Sequence, residues 1–114
     1  MSYALALANP GSDLDKYLGQ VYSIPVLTRD EELELTTEFF ESEDVKLAHK
    51  LVISHLRFVV HIAKSYAGYG LPLADVIQEG NVGLLKAVKK FDPNKGVRLV
   101  SFAVHWILSL IHIS

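Results

Sequence analysis

The chain has 114 residues, half of them hydrophobic and none of them cysteine, and a formal net charge of −2. This composition suits one compact domain and excludes a disulfide framework or a thiolate metal site. No apolar run reaches the roughly 20 residues that span a bilayer, and no secretion signal opens the chain. We therefore expect a cytoplasmic protein that does not enter a membrane.

Charge is distributed unevenly along the chain. Residues 1–44 hold ten acids against Lys16 and Arg29, a net charge of −8, whereas residues 45–114 carry +6. An acidic arm beside a basic body either shields a surface that binds polyanions or is an ordinary solvated helix. Both interpretations stay open at this stage.

The N-terminal segment shows no helix signal, and residues 1–11 are predicted to be disordered. Ser12 and Asp13 can cap a helix that runs to about Tyr22 and stops before Pro25, because a residue that precedes proline avoids the α region.

A second helix signal begins with a capping box. Thr28 and Glu31 have the spacing at which each side chain accepts a hydrogen bond from the other residue's backbone amide. This helix should end near Ser42. Its apolar stripe is narrow and consists of Leu33, Leu35, Phe39 and Phe40. We therefore expect this helix to pack through that stripe against the rest of the domain.

The strongest helical periodicity runs from Val45 to Tyr66 and predicts one long amphipathic helix that stops at Gly68 and Gly70. Pro72 opens the next helix, and the turn-forming residues 92–96 close it. A last helix begins near Ser101. Short connections and the lack of period-2 alternation predict an all-α helical bundle.

The helix after Pro72 has two distinct sides. Its inward positions keep helical spacing and should face a core; they are Leu73, Val76, Ile77, Leu84, Ala87, Val88 and Phe91. An outward stripe remains, consisting of Asp75, Gln78, Glu79, Val82 and Lys86. We refer to these five residues as the outward stripe.

Two glycines, Gly80 and Gly83, lie inside this helix, where each costs about 1 kcal/mol relative to alanine. A close approach of another segment to the helix backbone at these two positions must offset that cost. Tight packing on the helix of residues 51–66 and contact with a partner helix are both consistent with the sequence.

A cluster of bases follows, with one acid, Asp92, among them: Lys86, Lys89, Lys90, Lys95 and Arg98. Such a cluster attracts polyanions, although scattered lysines are also common on solvated helix faces. Four residues of the last helix then share one side at helical spacing: Phe102, His105, Trp106 and Ser109. We refer to these four residues as the aromatic face.

Aromatic rings beside lysines can stack on unpaired bases, which predicts binding of single-stranded or melted DNA. The alternative is that the rings pack in the core. Val104, Ile107 and Ile111 offer a rival apolar side that would be buried if Phe102 and Trp106 stay outside.

The sequence shows no apparatus for catalysis. His49, His55 and His61 are spaced by six residues, which does not bring zinc ligands together, so these histidines are interpreted as satisfied core or surface residues. The sequence also lacks a glycine-rich phosphate loop, a nucleophile elbow and paired acids. We predict no metal, no cofactor and no enzymatic activity.

Four blocks stand in a fixed order between residues 54 and 107. They are Ser54-His55-Leu56-Arg57-Phe58-Val59-Val60, Gly70-Leu71-Pro72, Asp75-Val76-Ile77-Gln78-Glu79-Gly80-Asn81-Val82-Gly83-Leu84 and Ser101-Phe102-Ala103-Val104-His105-Trp106-Ile107. Together they resemble region 2 of bacterial sigma factors of the sigma-70 family. The pair His105-Trp106, where housekeeping members carry two tryptophans, and the run from Arg98 to Phe102 resemble the heat-shock subgroup.

The resemblance implies a division of the chain. Residues 12–46 resemble the helical region 1.2 as an acidic arm, and residues 47–107 resemble region 2. Residues 108–114 do not resemble the family, because Leu108-Ser109 stands where a basic or polar pair is expected. We interpret this tail as truncated or misjoined.

The resemblance also implies two partners, core RNA polymerase and promoter DNA. Contact with the coiled coil of the polymerase β′ subunit is expected at Asp75, Val76, Ile77, Gln78, Glu79 and Asn81. Contact with the nontemplate strand of the promoter −10 element is expected at Lys86, Lys95, Arg98, Phe102, His105 and Trp106. The lysines and arginine would hold phosphates while the rings stack on bases, so that the chain helps to melt the promoter as a specificity subunit.

Two other functions remain open from the residues. A non-specific single-stranded nucleic-acid-binding helical module would use the same bases and rings. A helical interaction module would use the acidic side alone.

Overall fold

A computed structural model describes residues 13–66 and 70–113, and side chains as far as residue 111. Within these ranges the chain is all-α, as predicted, with six α-helices and one 3₁₀ turn. The helices are α1 (Leu14–Ser23), α2 (Arg29–Ser42), α3 (Val45–Ser54), α4 (Leu56–Tyr66), α5 (Leu73–Lys90) and α6 (Leu99–Ile113), and the 3₁₀ turn is Pro93–Lys95. The predicted disorder of residues 1–11 and the predicted stop at Gly68 lie outside the described residues.

The first two helices begin where their capping residues predict. The Asp13 side chain accepts a hydrogen bond from the Lys16 amide at 3.0 Å. At α2, the Glu31 amide donates to Thr28 Oγ1 at 3.1 Å, and the Thr28 amide donates to Glu31 Oε1 at 2.8 Å. These bonds satisfy amide groups that have no partner within the helix.

The single helix predicted from Val45 to Tyr66 is wrong, because the chain breaks into α3 and α4 at His55. Two side chains occupy the Leu51 carbonyl: Ser54 Oγ donates to it at 3.0 Å, and His55 Nδ1 lies 2.7 Å from it. The His55 amide bonds to the Val52 carbonyl instead. Local side-chain hydrogen bonds of this kind compete with the helical ladder. Apolar periodicity continues through the break and therefore does not reveal it.

Helix α5 lies at the centre of the bundle, in contact with α3, α4 and α6. Its two glycines allow these helices to approach closely. A Cβ atom on Gly80 would lie 2.7 Å from the Val59 side chain of α4, and one on Gly83 would lie 2.7 Å from the Trp106 carbonyl oxygen of α6. The structure therefore favours the packing interpretation of both glycines, and it adds α6 as the neighbour of Gly83.

The apolar stripe predicted for α2 is only partly correct. Leu35 and Phe39 are half-buried, but Leu33 and Phe40 are 56% and 46% exposed. The buried residues of this helix are instead polar, Glu32 and Thr36. Hydrophobicity alone misleads here because α2 meets the body both through Leu35 and Phe39 and through the hydrogen bonds of the polar residue Glu32.

The last helix begins at Leu99, slightly before the predicted Ser101, and continues through Ile113. Ile111 is buried in the core cluster, so part of the segment predicted as an atypical tail packs against the bundle. The predicted boundary between residues 46 and 47 falls inside α3. Over residues 13–66 and 70–113, no helix has the length and apolar character needed to cross a membrane.

Candidate functional site

The outward stripe of α5 is exposed along its whole length. Asp75, Gln78, Glu79, Val82 and Lys86 are all solvent-exposed, as the helical periodicity predicted. Val82 is an exposed apolar residue within this stripe. Acidic, amide and apolar groups on one helical side can contact another helix.

Three residues expected to contact the polymerase lie inside the bundle and not on this surface. Val76 and Ile77 belong to the core, which agrees with their inward periodicity. Asn81 is 5% exposed, and its Nδ2 donates to the buried Tyr17 hydroxyl of α1 at 3.1 Å. Burial raises the pKa of Tyr17, and the hydrogen bond from Asn81 opposes that shift. Asn81 therefore lies under α1 and not on the surface formed by the outward stripe.

The aromatic face of α6 stands at the edge of the bundle. His105 and Ser109 are exposed, whereas Phe102 and Trp106 are half-buried. The core side of the helix is occupied by Ala103, Ile107 and Ile111. Of the rival apolar residues, Ile107 and Ile111 are buried and Val104 is half-buried, which leaves part of each ring accessible.

Neighbouring side chains hold the two rings. The Phe102 and Phe91 ring centres are 5.7 Å apart with the ring planes tilted by 50°. Lys90 Nζ lies 5.9 Å from the centre of the Trp106 ring, a cation–π arrangement. Lys90 belongs to the predicted basic cluster, but sequence reasoning did not assign it a contact with the tryptophan.

The residues of the predicted basic cluster differ in whether their charges are already paired. Lys86, Lys89, Lys90 and Lys95 are exposed, which suits contact with phosphates. Arg98 is 42% exposed, but its Nη2 donates to Glu32 Oε1 of α2 at 2.8 Å. A phosphate that binds Arg98 must therefore compete with a carboxylate.

Glu32 is a residue that sequence reasoning missed. Besides the bond from Arg98, its Oε2 accepts a hydrogen bond from the Leu99 amide at 3.1 Å, and His55 Nε2 lies 3.7 Å from its Oε1. Burial by itself would raise the pKa of Glu32, but His55, Arg98 and the Leu99 amide outweigh it and lower the pKa from 4.5 to about 2. No local sequence pattern connects residues 66 positions apart.

This lowered pKa predicts an acid-sensitive contribution to stability. A carboxylate whose pKa is lower in the folded state stabilises fully above its unfolded pKa of 4.5 and loses that effect as the pH falls toward about 2. We expect Glu32→Gln to unfold with a free energy roughly 2–3 kcal/mol below wild type at pH 7. The difference should shrink in urea titrations at pH 3. A constant difference between the two pH values would contradict this assignment.

Four of the five histidines have described side chains. His49, His61 and His105 are exposed, and His55 is the buried histidine at the α3–α4 break. In the described parts of the chain, no three His, Asp or Glu side chains come together in a way that could hold a metal ion.

A cleft opens next to Arg98, where the segment between α1 and α2 faces α4 and the start of α6. It has a volume of about 450 Å³ and combines apolar residues such as Leu27 and Phe58 with His61 and Arg98. Apolar walls with a few polar groups are typical of small-ligand pockets. The cleft and the aromatic face both adjoin the first turns of α6.

Comparison with known proteins identifies the same part of the chain. Residues 51–112 match the family model for Sigma-70 region 2, and this match includes most of the predicted tail. Two relatives from different strains of Caulobacter vibrioides, each named RNA polymerase sigma factor RpoH, are 48% identical to the chain over 108 residues. The alignment covers 95% of this chain but 37% of each relative. Helix α4, helix α5 with its exposed stripe, and nearly all of the ring-bearing α6 thus lie within the matched region 2. The chain belongs to the sigma-70 family of sigma factors.

Proposed function

We propose that this chain binds core RNA polymerase and recognises the promoter −10 element for transcription initiation at heat-shock genes. Membership of the family supports the general role, and the 48% identity with relatives named RpoH supports the heat-shock subgroup. The observation that carries the proposal is the pairing of an exposed α5 stripe with accessible rings on α6. Such a protein works where the polymerase works, in the bacterial cytoplasm.

The polymerase-binding half of the proposal uses the exposed part of α5. Asp75, Gln78 and Glu79 are available for contact with the β′ coiled coil, and Val82 adds an apolar group at the same surface. Val76, Ile77 and Asn81 would act indirectly, since they fix the helix in the bundle. Charged and amide groups around an apolar residue are typical of a specific helix–helix contact.

The DNA-binding half uses α6 and the bases around it. Phe102, His105 and Trp106 would stack on bases that leave the duplex, each contributing about 1–3 kcal/mol. Lys86, Lys95 and Arg98 would hold phosphates of the nontemplate strand. Binding energy on the unpaired strand would then drive strand opening, so the chain would be a specificity subunit rather than an enzyme.

One experiment distinguishes this proposal from the alternatives. The chain is tested for binding to core RNA polymerase and, at matched salt, to single-stranded oligonucleotides carrying a −10 sequence or a scrambled sequence. We expect polymerase binding and a preference for the −10 sequence. Equal affinity for both oligonucleotides would indicate a non-specific single-strand binder, and binding of neither would indicate a protein-interaction module.

The polymerase contact gives a prediction for Gln78. Replacing it with alanine should weaken binding to core polymerase roughly tenfold, because we expect Gln78 to be one of the few interface residues whose truncation costs more than about 1 kcal/mol. Affinity for the −10 oligonucleotide should stay at the wild-type value. Surface-immobilised core polymerase provides the measurement.

Gln20 is the matched control for this variant. It is also an exposed glutamine in a helix, but it lies on α1. Gln20→Ala should bind the polymerase like wild type. If both variants lose affinity equally, the contact does not lie on the outward stripe.

A further inference from the structure

Glu32 is the only buried carboxylate among the described residues, with 6% of its surface exposed. It lies on α2, yet its two oxygens bond to the beginning of α6. Oε1 accepts from the Arg98 side chain, and Oε2 accepts from the Leu99 backbone amide. A carboxylate of the acidic arm therefore fixes the point where the aromatic helix starts.

The first amides of a helix have no partner within it, and a carboxylate that accepts from them also interacts favourably with the helix dipole. Leu99 is the first residue of α6. Glu32 thus does from another helix what a capping residue does locally. It also holds the side chain of Arg98, the residue immediately before the helix.

This cap is close to the rings. The Phe102 amide donates to the Arg98 carbonyl at 3.2 Å. This bond ties the Phe102 ring to Arg98 and Leu99, the residues that Glu32 holds, within the first turn of α6. Trp106 follows one turn later. If the first turn frays or shifts, Phe102 moves with it, because a helical side chain takes its direction from its own turn.

We propose that Glu32 is a positioning residue that caps α6 from the acidic arm and thereby holds the aromatic face ready for unpaired DNA. This inference rests on the proposed function, since it concerns how well α6 presents its rings. Glu32 itself does not contact the DNA. The acidic arm then acts on DNA binding mainly through one buried carboxylate, and its net charge has the smaller effect.

The test compares Glu32→Gln with Glu34→Gln, which removes the same charge from an exposed position of α2. Affinity for the −10 oligonucleotide is measured by fluorescence anisotropy at fixed salt. Glu32→Gln should bind roughly 3- to 10-fold more weakly, because apparent affinity falls with the fraction of molecules in the competent conformation. Glu34→Gln should bind equally or slightly better, since it reduces repulsion of phosphates.

Two further measurements separate positioning from general destabilisation. Binding to core polymerase should be the same for wild type and Glu32→Gln, because the outward stripe of α5 is unaffected. Hydrogen exchange of the Leu99 amide should accelerate by a larger factor in Glu32→Gln than exchange in α5, because the α5 amides report only the loss of global stability. Equal oligonucleotide affinity in Glu32→Gln and Glu34→Gln would overturn the proposal.

Arg98→Gln keeps the test valid if Glu32→Gln does not fold, because the partly exposed Arg98 side chain is not needed to fill the core. The loss of its charged partner should also speed exchange of the Leu99 amide. An unchanged exchange rate would contradict the capping role. Failure of the proposed function looks different, since wild type itself would then show no preference for the −10 sequence.

Discussion

Replacing Trp106 with alanine should weaken capture of a −10 nontemplate oligonucleotide by roughly 5- to 150-fold, the equivalent of about 1–3 kcal/mol of stacking on one base. The Trp106 ring is half-buried beside Lys90, so part of it remains available to a base. Anisotropy titrations at one salt concentration measure the loss. Binding to core polymerase should persist, because Trp106 is not part of the outward stripe.

Phe40→Ala is the matched control for the loss of an aromatic ring. Phe40 is 46% exposed and lies on the acidic helix α2, away from the aromatic face. Its removal should leave oligonucleotide affinity at the wild-type value. Equal losses in the two variants would show that the Trp106 effect is not stacking, and no loss in either would exclude α6 as the base-binding helix.

Replacing Gly83 with alanine should lower the free energy of unfolding by about 1–3 kcal/mol and also weaken oligonucleotide capture. The new Cβ would meet the backbone of α6, 2.7 Å from the Trp106 carbonyl oxygen and 2.9 Å from the Ile107 Cα. Backbone cannot rotate away as a side chain can, so α6 must shift. The strain outweighs the gain of about 1 kcal/mol in helix propensity. Urea unfolding and anisotropy provide the two measurements.

Gly19→Ala should have the opposite effect on stability. Gly19 lies within α1, and a Cβ there would meet nothing within 4 Å. The substitution should therefore stabilise the chain by up to about 1 kcal/mol. If Gly83→Ala also stabilises, α5 and α6 are not packed as closely as the structure describes.

Interactions between residues close in the chain could be predicted from the sequence. The capping box of Thr28 and Glu31 joins residues three positions apart, so its pattern is visible in the sequence itself. Helical periodicity likewise separated the buried and exposed sides of α5. It failed at His55, where hydrogen bonds to the Leu51 carbonyl break the ladder without changing the apolar pattern.

The candidate site was predictable in its helices but less so in its individual residues. The sequence indicated that Gln78 occupies an outward position, and this residue is exposed. The sequence left open whether the Trp106 ring packs in the core, and the ring is half-buried. The family resemblance placed Asn81 among the polymerase contacts, although α1 covers that residue through Tyr17. Periodicity within one helix cannot show which other helix packs on it.

The sequence by itself determined that the chain is helical, where most helices begin, and which residues form the outward stripe and the aromatic face. These features depend on dihedral preferences, caps and spacing within a few residues. Only the tertiary structure decided that Gly83 meets the α6 backbone and that the Glu32 carboxylate caps the Leu99 amide. The physical reason is that these contacts join distant parts of the chain, and their partners are chosen by packing and hydrogen bonding in the folded bundle.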